Sequence, residues 1–214
     1  MLTAILLGFA LGIRHATDPD HVAAVAALVA RHRRAGLAAR IGAAWGVGHS
    51  ATVLAVGGAL VALRIAVEPR WALAAELAVA VILIVLGVAN LRALGRPQQA
   101  HPGPEAVHAH GRAAGSSRRA FGIGIAHGLG GSAAVALLAL ASMPTTASAV
   151  VYLAIFGFGT VLGMVALSLL LGFPLIAASR TPALSRWVLG GSGAVSICVG
   201  LYVAYSVGTS ALPL

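Results

Sequence analysis

The stretch Arg14-His15-Ala16-Thr17-Asp18-Pro19-Asp20-His21 holds both aspartates of the chain and two of its eight histidines, inside an apolar run from about residue 2 to residue 30. One carboxylate at the centre of a bilayer costs roughly 2.5 to 3.5 kcal/mol on the mildest scale, so two without partners penalise insertion by about 5 kcal/mol or more. If this run crosses a membrane, its acids need compensation.

Composition says that it does. Of 214 residues, 59% are hydrophobic and 9% charged, with a mean hydropathy of +0.96. A soluble domain carries about a quarter charged residues, so this chain cannot clothe a water-exposed surface and is expected to be an all-α integral membrane protein. A span needs roughly 20 apolar residues. Apolar runs at about 2 to 30, 41 to 63, 72 to 94, 121 to 141, 147 to 176 and 187 to 208 predict six transmembrane helices and leave no room for a sizeable soluble domain. The first run outlasts the apolar core of a signal peptide and lacks a basic segment before it, so it is expected to be retained.

The net charge is +9 and the pI near 11.6. In a soluble protein that balance would suggest nucleic acid, but here no nucleic-acid partner is expected, because arginine first reports topology. All fourteen basic residues are Arg. Eleven of them fall on one side of the predicted spans: Arg31, Arg33, Arg34 and Arg40; Arg92, Arg96, Arg112, Arg118 and Arg119; Arg180 and Arg186. Only Arg64 and Arg70 fall on the other, and Arg14 lies within a helix. The positive-inside rule makes the richer side cytoplasmic and turns both termini outward. A lone Cys198 excludes an internal disulfide and a CxxC redox pair.

Shifted by about 112 residues, the sequence resembles itself. Phe9, Gly12, Ile13 and His15 fall on Phe121, Gly124, Ile125 and His127. After one residue of slip, residues 45–49 (Trp-Gly-Val-Gly-His) fall on 156–160 (Phe-Gly-Phe-Gly-Thr), and Ile84 to Val88 fall on Ile197 to Leu201. The expected architecture is therefore two three-helix units, residues 1–94 and 121–214, joined by a polar linker at 95–120. An odd number of spans per unit inserts the second unit from the opposite face, giving the inverted repeats of many transporters, with sites near the midplane between them.

Helix geometry tests what could compensate the acids. His15, Asp18 and His21 are spaced i, i+3, i+6, and Thr17 and His21 are i, i+4, so they share one broad face. Asp20 points elsewhere on an ideal helix, but Pro19 cannot donate to the carbonyl of residue 15 and its ring crowds that turn. A kink or break there frees the carbonyl and lets Asp20 swing inward. One straight helix over the whole run would be about 43 Å long, more than the hydrocarbon core. The second predicted helix adds His49 and Ser50 beside Gly46 and Gly48, and the fourth adds His127, at the repeat position of His15. Four imidazoles and two carboxylates suit a divalent first-row metal ion and disfavour a copper(I) site. The competing account, an Arg14–Asp18 ion pair, explains one acid and leaves the other uncompensated. Metal binding needs neutral imidazole and ionised carboxylate, so affinity is expected to fall as pH drops through the histidine range. His101, His108 and His110 lie in the polar linker, where they either collect metal or are incidental.

The cluster resembles the nickel/cobalt transporter family of bacterial secondary permeases, whose pattern is Arg-His-Ala-x-Asp-Ala-Asp-His. Here Thr17 stands where that family usually has Val or Phe, and Pro19 where it has Ala. A second family segment, Leu-Gly-His-Ser-Thr-Val, is similar to residues 47–53, Val-Gly-His-Ser-Ala-Thr-Val. The family's later Gly-Phe-Asp-Thr motif is absent; the glycine-rich segment 128–132 stands in the corresponding place without its Asp. With six predicted spans, the chain is closer to a compact branch near the urease accessory membrane proteins.

The resemblance implies a non-enzymatic permease of the bacterial inner membrane that carries Ni(II) or Co(II) as substrate, with no prosthetic group. It places His15, Asp18, Asp20, His21 and His49 in the translocation site and makes nickel-enzyme maturation proteins conceivable partners. The residues themselves add His127 and specify a dication without choosing the metal. Three other functions use the same features: efflux through the same site; an intramembrane zinc hydrolase, although no HExxH is present; and a maturation scaffold that moves nothing.

Overall fold

Pro19 has no N–H for the carbonyl of residue 15, and the first apolar run breaks there. Helix α1 (Leu2–His15) ends, residues 16–18 turn, and α2 (Pro19–Val29) begins with Pro19 in its first turn and Asp18 as its N-cap residue. The Asp18 N–H takes the freed His15 carbonyl at 3.1 Å, and the Asp18 carbonyl accepts from Val22 N–H at 3.0 Å.

The computed structural model describes residues 2–32, 34–65, 67–95, 105–178 and 181–211, and all regular elements among them are helical. The second run comprises α3 (Ala35–Thr52), a π-helical turn (Val53–Gly57) and α4 (Gly58–Leu63). Helices α5 (Pro69–Leu94), α6 (Glu105–Ser142), α7 (Thr146–Ala178) and α8 (Pro182–Ala211) follow. Four stretches, Ala35–Leu63, Pro69–Leu94, Thr146–Leu175 and Ala183–Ser210, are long and apolar enough to cross a membrane. The chain is a helical membrane protein.

One expected boundary moves. The polar stretch read as linker to Ala120 is helical from Glu105 onward, continuous with the predicted fourth span. Polarity excludes a segment from lipid but not from a helix, and Ala, Arg and Glu are good helix formers. His101 lies outside the described residues, as do the side chains of His108 and His110 on α6.

Helix α3 packs between α6 and α7, α1 against α7, and α5 along α8, while α2 touches α7, α8 and α5. Small residues set the closeness of these crossings. A Cβ at Gly12 would fall on the Phe156 carbonyl oxygen and Thr160 N, and one at Gly124 on the Trp45 carbonyl oxygen and His49 N. Gly48 lies in the same way on Phe121 and Ile125, and Gly159 on Phe9 and Ile13. At the α5–α8 crossing, Gly87 meets Gly193 and Ile197, while Gly200 meets Ala80 and Ile84. In the sequence register 12/124, 45/156, 48/159 and 87/200, each contact thus has a counterpart with the two halves exchanged.

A polar node ties α2, α5 and α8 near the C-terminal end of α5. The buried Asn90 side chain donates to the Ala27 carbonyl at 2.9 Å and to Ser192 Oγ at 3.2 Å, and accepts from Arg31 Nε at 2.5 Å.

The crossings predict an asymmetry among glycines. Gly124→Val should destabilise the protein by about 1 to 3 kcal/mol through overpacking, seen as a lower melting temperature in detergent. Gly122→Ala, where nothing lies within 4 Å of the new methyl, should be neutral or stabilising.

Candidate metal centre

The break at residues 16–18 changes what the acidic cluster can reach. On a straight helix Asp20 would point away from His15; with α2 restarted at Pro19, its carboxylate turns back toward the bundle. Asp20 Oδ1 accepts from the His21 backbone N–H at 2.9 Å and lies 3.0 Å from His21 Nδ1. Its other oxygen, Oδ2, lies 2.9 Å from His127 Nε2 on α6. Asp18 Oδ2 lies 2.8 Å from His15 Nδ1. Each carboxylate therefore has an imidazole partner, which answers the insertion penalty without the Arg14 ion pair; Arg14 is exposed.

His21 is the hub. Its ring centroid lies 4.6 Å from that of His15, 5.1 Å from His49 and 4.5 Å from His127. His21, His49 and His127 are all at most 2% exposed. Trp45, fully buried on α3, closes the far side with its ring 5.3 Å from His21 and 5.5 Å from His127. Phe156 of α7 covers His15 at 5.3 Å.

The carboxylates fix which nitrogens remain for other work. With Nδ1 of His15 held by Asp18, Nε2 faces Nε2 of His49 at 3.1 Å. With Nδ1 of His21 held by Asp20, its buried Nε2 has no hydrogen-bond partner; neither do His49 Nδ1 and His127 Nδ1. One nitrogen each from His15, His21 and His49 lie within 4.8 Å of one another, as do donor atoms of Asp20, His21 and His127. Two metal–nitrogen bonds of about 2.1 Å at a right angle set their nitrogens about 3.0 Å apart, close to the His15–His49 separation. Burying unpaired imidazole nitrogens is costly, and a cation offers them a partner.

The two hydroxyls expected in the cluster are elsewhere. Thr17 Oγ1 donates to the Arg14 carbonyl at 2.6 Å on the exposed side of the turn, and Ser50 Oγ donates to the Gly157 carbonyl at 2.9 Å. A cavity of about 310 Å³ extends from the histidines, lined also by Gly130 and Gly131 of α6, Glu76 and Val79 of α5, and Tyr202, Val203 and Ser206 of α8. Glu76 was not singled out from the sequence. The available signal was its position as the sole acid within the third apolar run.

Fold and site together define a helical membrane protein with a buried imidazole and carboxylate cluster at a helix break. The chain is similar to the urease accessory protein UreH of Bacillus sp. (strain TB-90), 29% identical over 222 residues, covering 98% of this chain and 94% of that protein. No family model and no solved structure matches the chain.

Because Asp20 orients two imidazoles, Asp20→Asn should weaken Co(II) binding roughly 10- to 100-fold, the usual cost of losing such a partner. Thr17→Val, whose hydroxyl points away, should leave binding within about two-fold, well inside that range. Titration followed by the cobalt absorption bands of detergent-solubilised protein measures both.

Proposed function

We propose that this protein carries a divalent transition-metal ion, Ni(II) or Co(II), across the bacterial inner membrane through the His/Asp cluster. The observation that carries this reading is the convergence of His15, His21 and His49, with inward-facing or unpartnered ring nitrogens, at the end of an open cavity inside an apolar bundle. In this arrangement the three imidazoles are the ligands and Asp18 and Asp20 stand behind them. The carboxylates fix the tautomers and raise ligand basicity, as carboxylates behind metal-bound histidines do. They also balance the charge of a dication. His127 is held ready through Asp20.

Transport, rather than permanent storage, is favoured by the architecture. The reciprocal glycine contacts support two inverted three-helix units, in which α1 and α2 together make one crossing and α6 makes the fourth. The site then draws on both units, from α1, α2 and α3 on one side and α6 on the other, so rocking one unit against the other opens and closes it. The arginine distribution supports an orientation with the 31–40 and 95–120 segments in the cytoplasm and both termini outside. Nickel is preferred because the similar protein is named for urease accessory function, and urease is a nickel enzyme; the same link makes nickel-enzyme maturation proteins natural recipients of the ion.

Proteoliposomes holding the purified protein should accumulate radiolabelled nickel, with cobalt competing better than magnesium. His21→Ala should reduce the initial rate roughly 100-fold, since it removes the hub ligand, while Thr17→Val should transport like wild type. Equal uptake by His21→Ala and wild type would refute the site. Retained binding with no uptake by any variant would instead favour a metal-holding scaffold.

A further inference from the structure

We infer that Glu76 is a capture site for the hydrated cation at the mouth of the cavity, distinct from the histidine cluster and preceding it on the path. The inference rests on the transport reading above and deepens it. Glu76 is the sole carboxylate inside the apolar helix α5, and it is exposed on the wall of the same cavity that the histidines close. Among the described residues no ion pair involves it. An ionisable group at this depth, without a structural partner, is expensive to keep unless it serves the permeating species.

Its place in the fold gives the order of events. Glu76 is seven residues into α5, about 10 Å from the start of that helix, and Ser206 is about 8 Å from the end of α8. Both helix ends lie on the side of the bundle that carries the 64–68 loop. The cavity therefore leads from that face past Glu76, Tyr202 and Ser206 to the imidazoles, while at the opposite end of α5 the Asn90 node ties α2, α5 and α8 together. The chemistry changes along this path. At the mouth stand oxygen groups, a carboxylate and two hydroxyl-bearing side chains, which accept hydrogen bonds from the waters of a hydrated dication without displacing them. At the inner end stand imidazole nitrogens, with Asp18 and Asp20 engaged behind them, and these nitrogens replace those waters. Staging the exchange spreads the dehydration cost, and a negative charge at a low-dielectric mouth raises the local cation concentration and entry rate.

The test is the concentration dependence of initial nickel uptake in proteoliposomes for wild type, Glu76→Gln, Glu76→Asp and the loop control Glu68→Gln, with equilibrium nickel binding measured on the same preparations. Glu76→Gln should raise the half-saturating nickel concentration about ten-fold or more, leave the maximal rate and the equilibrium affinity of the histidine site near wild type, and flatten the dependence of entry on ionic strength. Glu76→Asp should restore most of the loss, showing that the charge rather than the fold was removed. Wild-type kinetics in Glu76→Gln, with His21→Ala inactive, would overturn the capture role and leave the transport reading standing. Loss of equilibrium binding in Glu76→Gln would also overturn it, by making Glu76 part of the inner site. Wild-type vesicles that bind nickel but never take it up would overturn both.

Discussion

One carboxylate shared by two imidazoles holds the arrangement together. Asp20 reaches His21 on its own helix and His127, 107 residues away, at 3.0 and 2.9 Å. Neither carboxylate nor imidazole is cheap to bury alone, and here each satisfies the other. This contact requires Asp20 to face inward, which requires the break before Pro19, so a single backbone interruption determines where the polar residues of the bundle meet. It also couples two distant parts of the chain through a group next to the proposed ligands, because Asp20 of α2 bonds directly to His127 of α6.

The two halves contribute differently to the site. The register that sets His15 on His127 also sets Asp18 on Gly130 and Pro19 on Gly131, and both glycines line the cavity. Where the first half supplies donors, the second supplies space. Thr160, at the position of His49, is buried and spends its hydroxyl on the Phe156 carbonyl one turn back, at 2.9 Å. The backbone contacts recur with the halves exchanged, while the polar chemistry does not, so the repeat is one of packing and not of ligands.

Much of this was legible in the sequence, for physical reasons that also explain the misses. Apolar runs, the proline beside two aspartates and the recurring glycines are strong local signals, since each follows from what lipid, a missing N–H or a close crossing permits. Hydroxyl partners were not legible. Thr17 and Ser50 sit at favourable helical spacing, yet both satisfy backbone carbonyls, one across a helix crossing that no single-helix wheel contains. The start of α6 was missed because polarity marks the limit of a span, not of a helix. Glu76 was passed over because its significance depends on α8 and α6 closing a cavity around it, a long-range fact. The division of labour between carboxylates and imidazoles was equally hidden, for it depends on which ring nitrogen each oxygen occupies.

The central claim is that three imidazoles, from His15, His21 and His49, bind the metal directly, with the aspartates behind them. X-ray absorption spectroscopy of the nickel-loaded protein tests it most directly. The account predicts nitrogen and oxygen scatterers at about 2.1 Å, with outer-shell scattering from three imidazole rings that drops to two in His49→Ala. A nickel shell of oxygen alone, or imidazole scattering unchanged by that substitution, would contradict it.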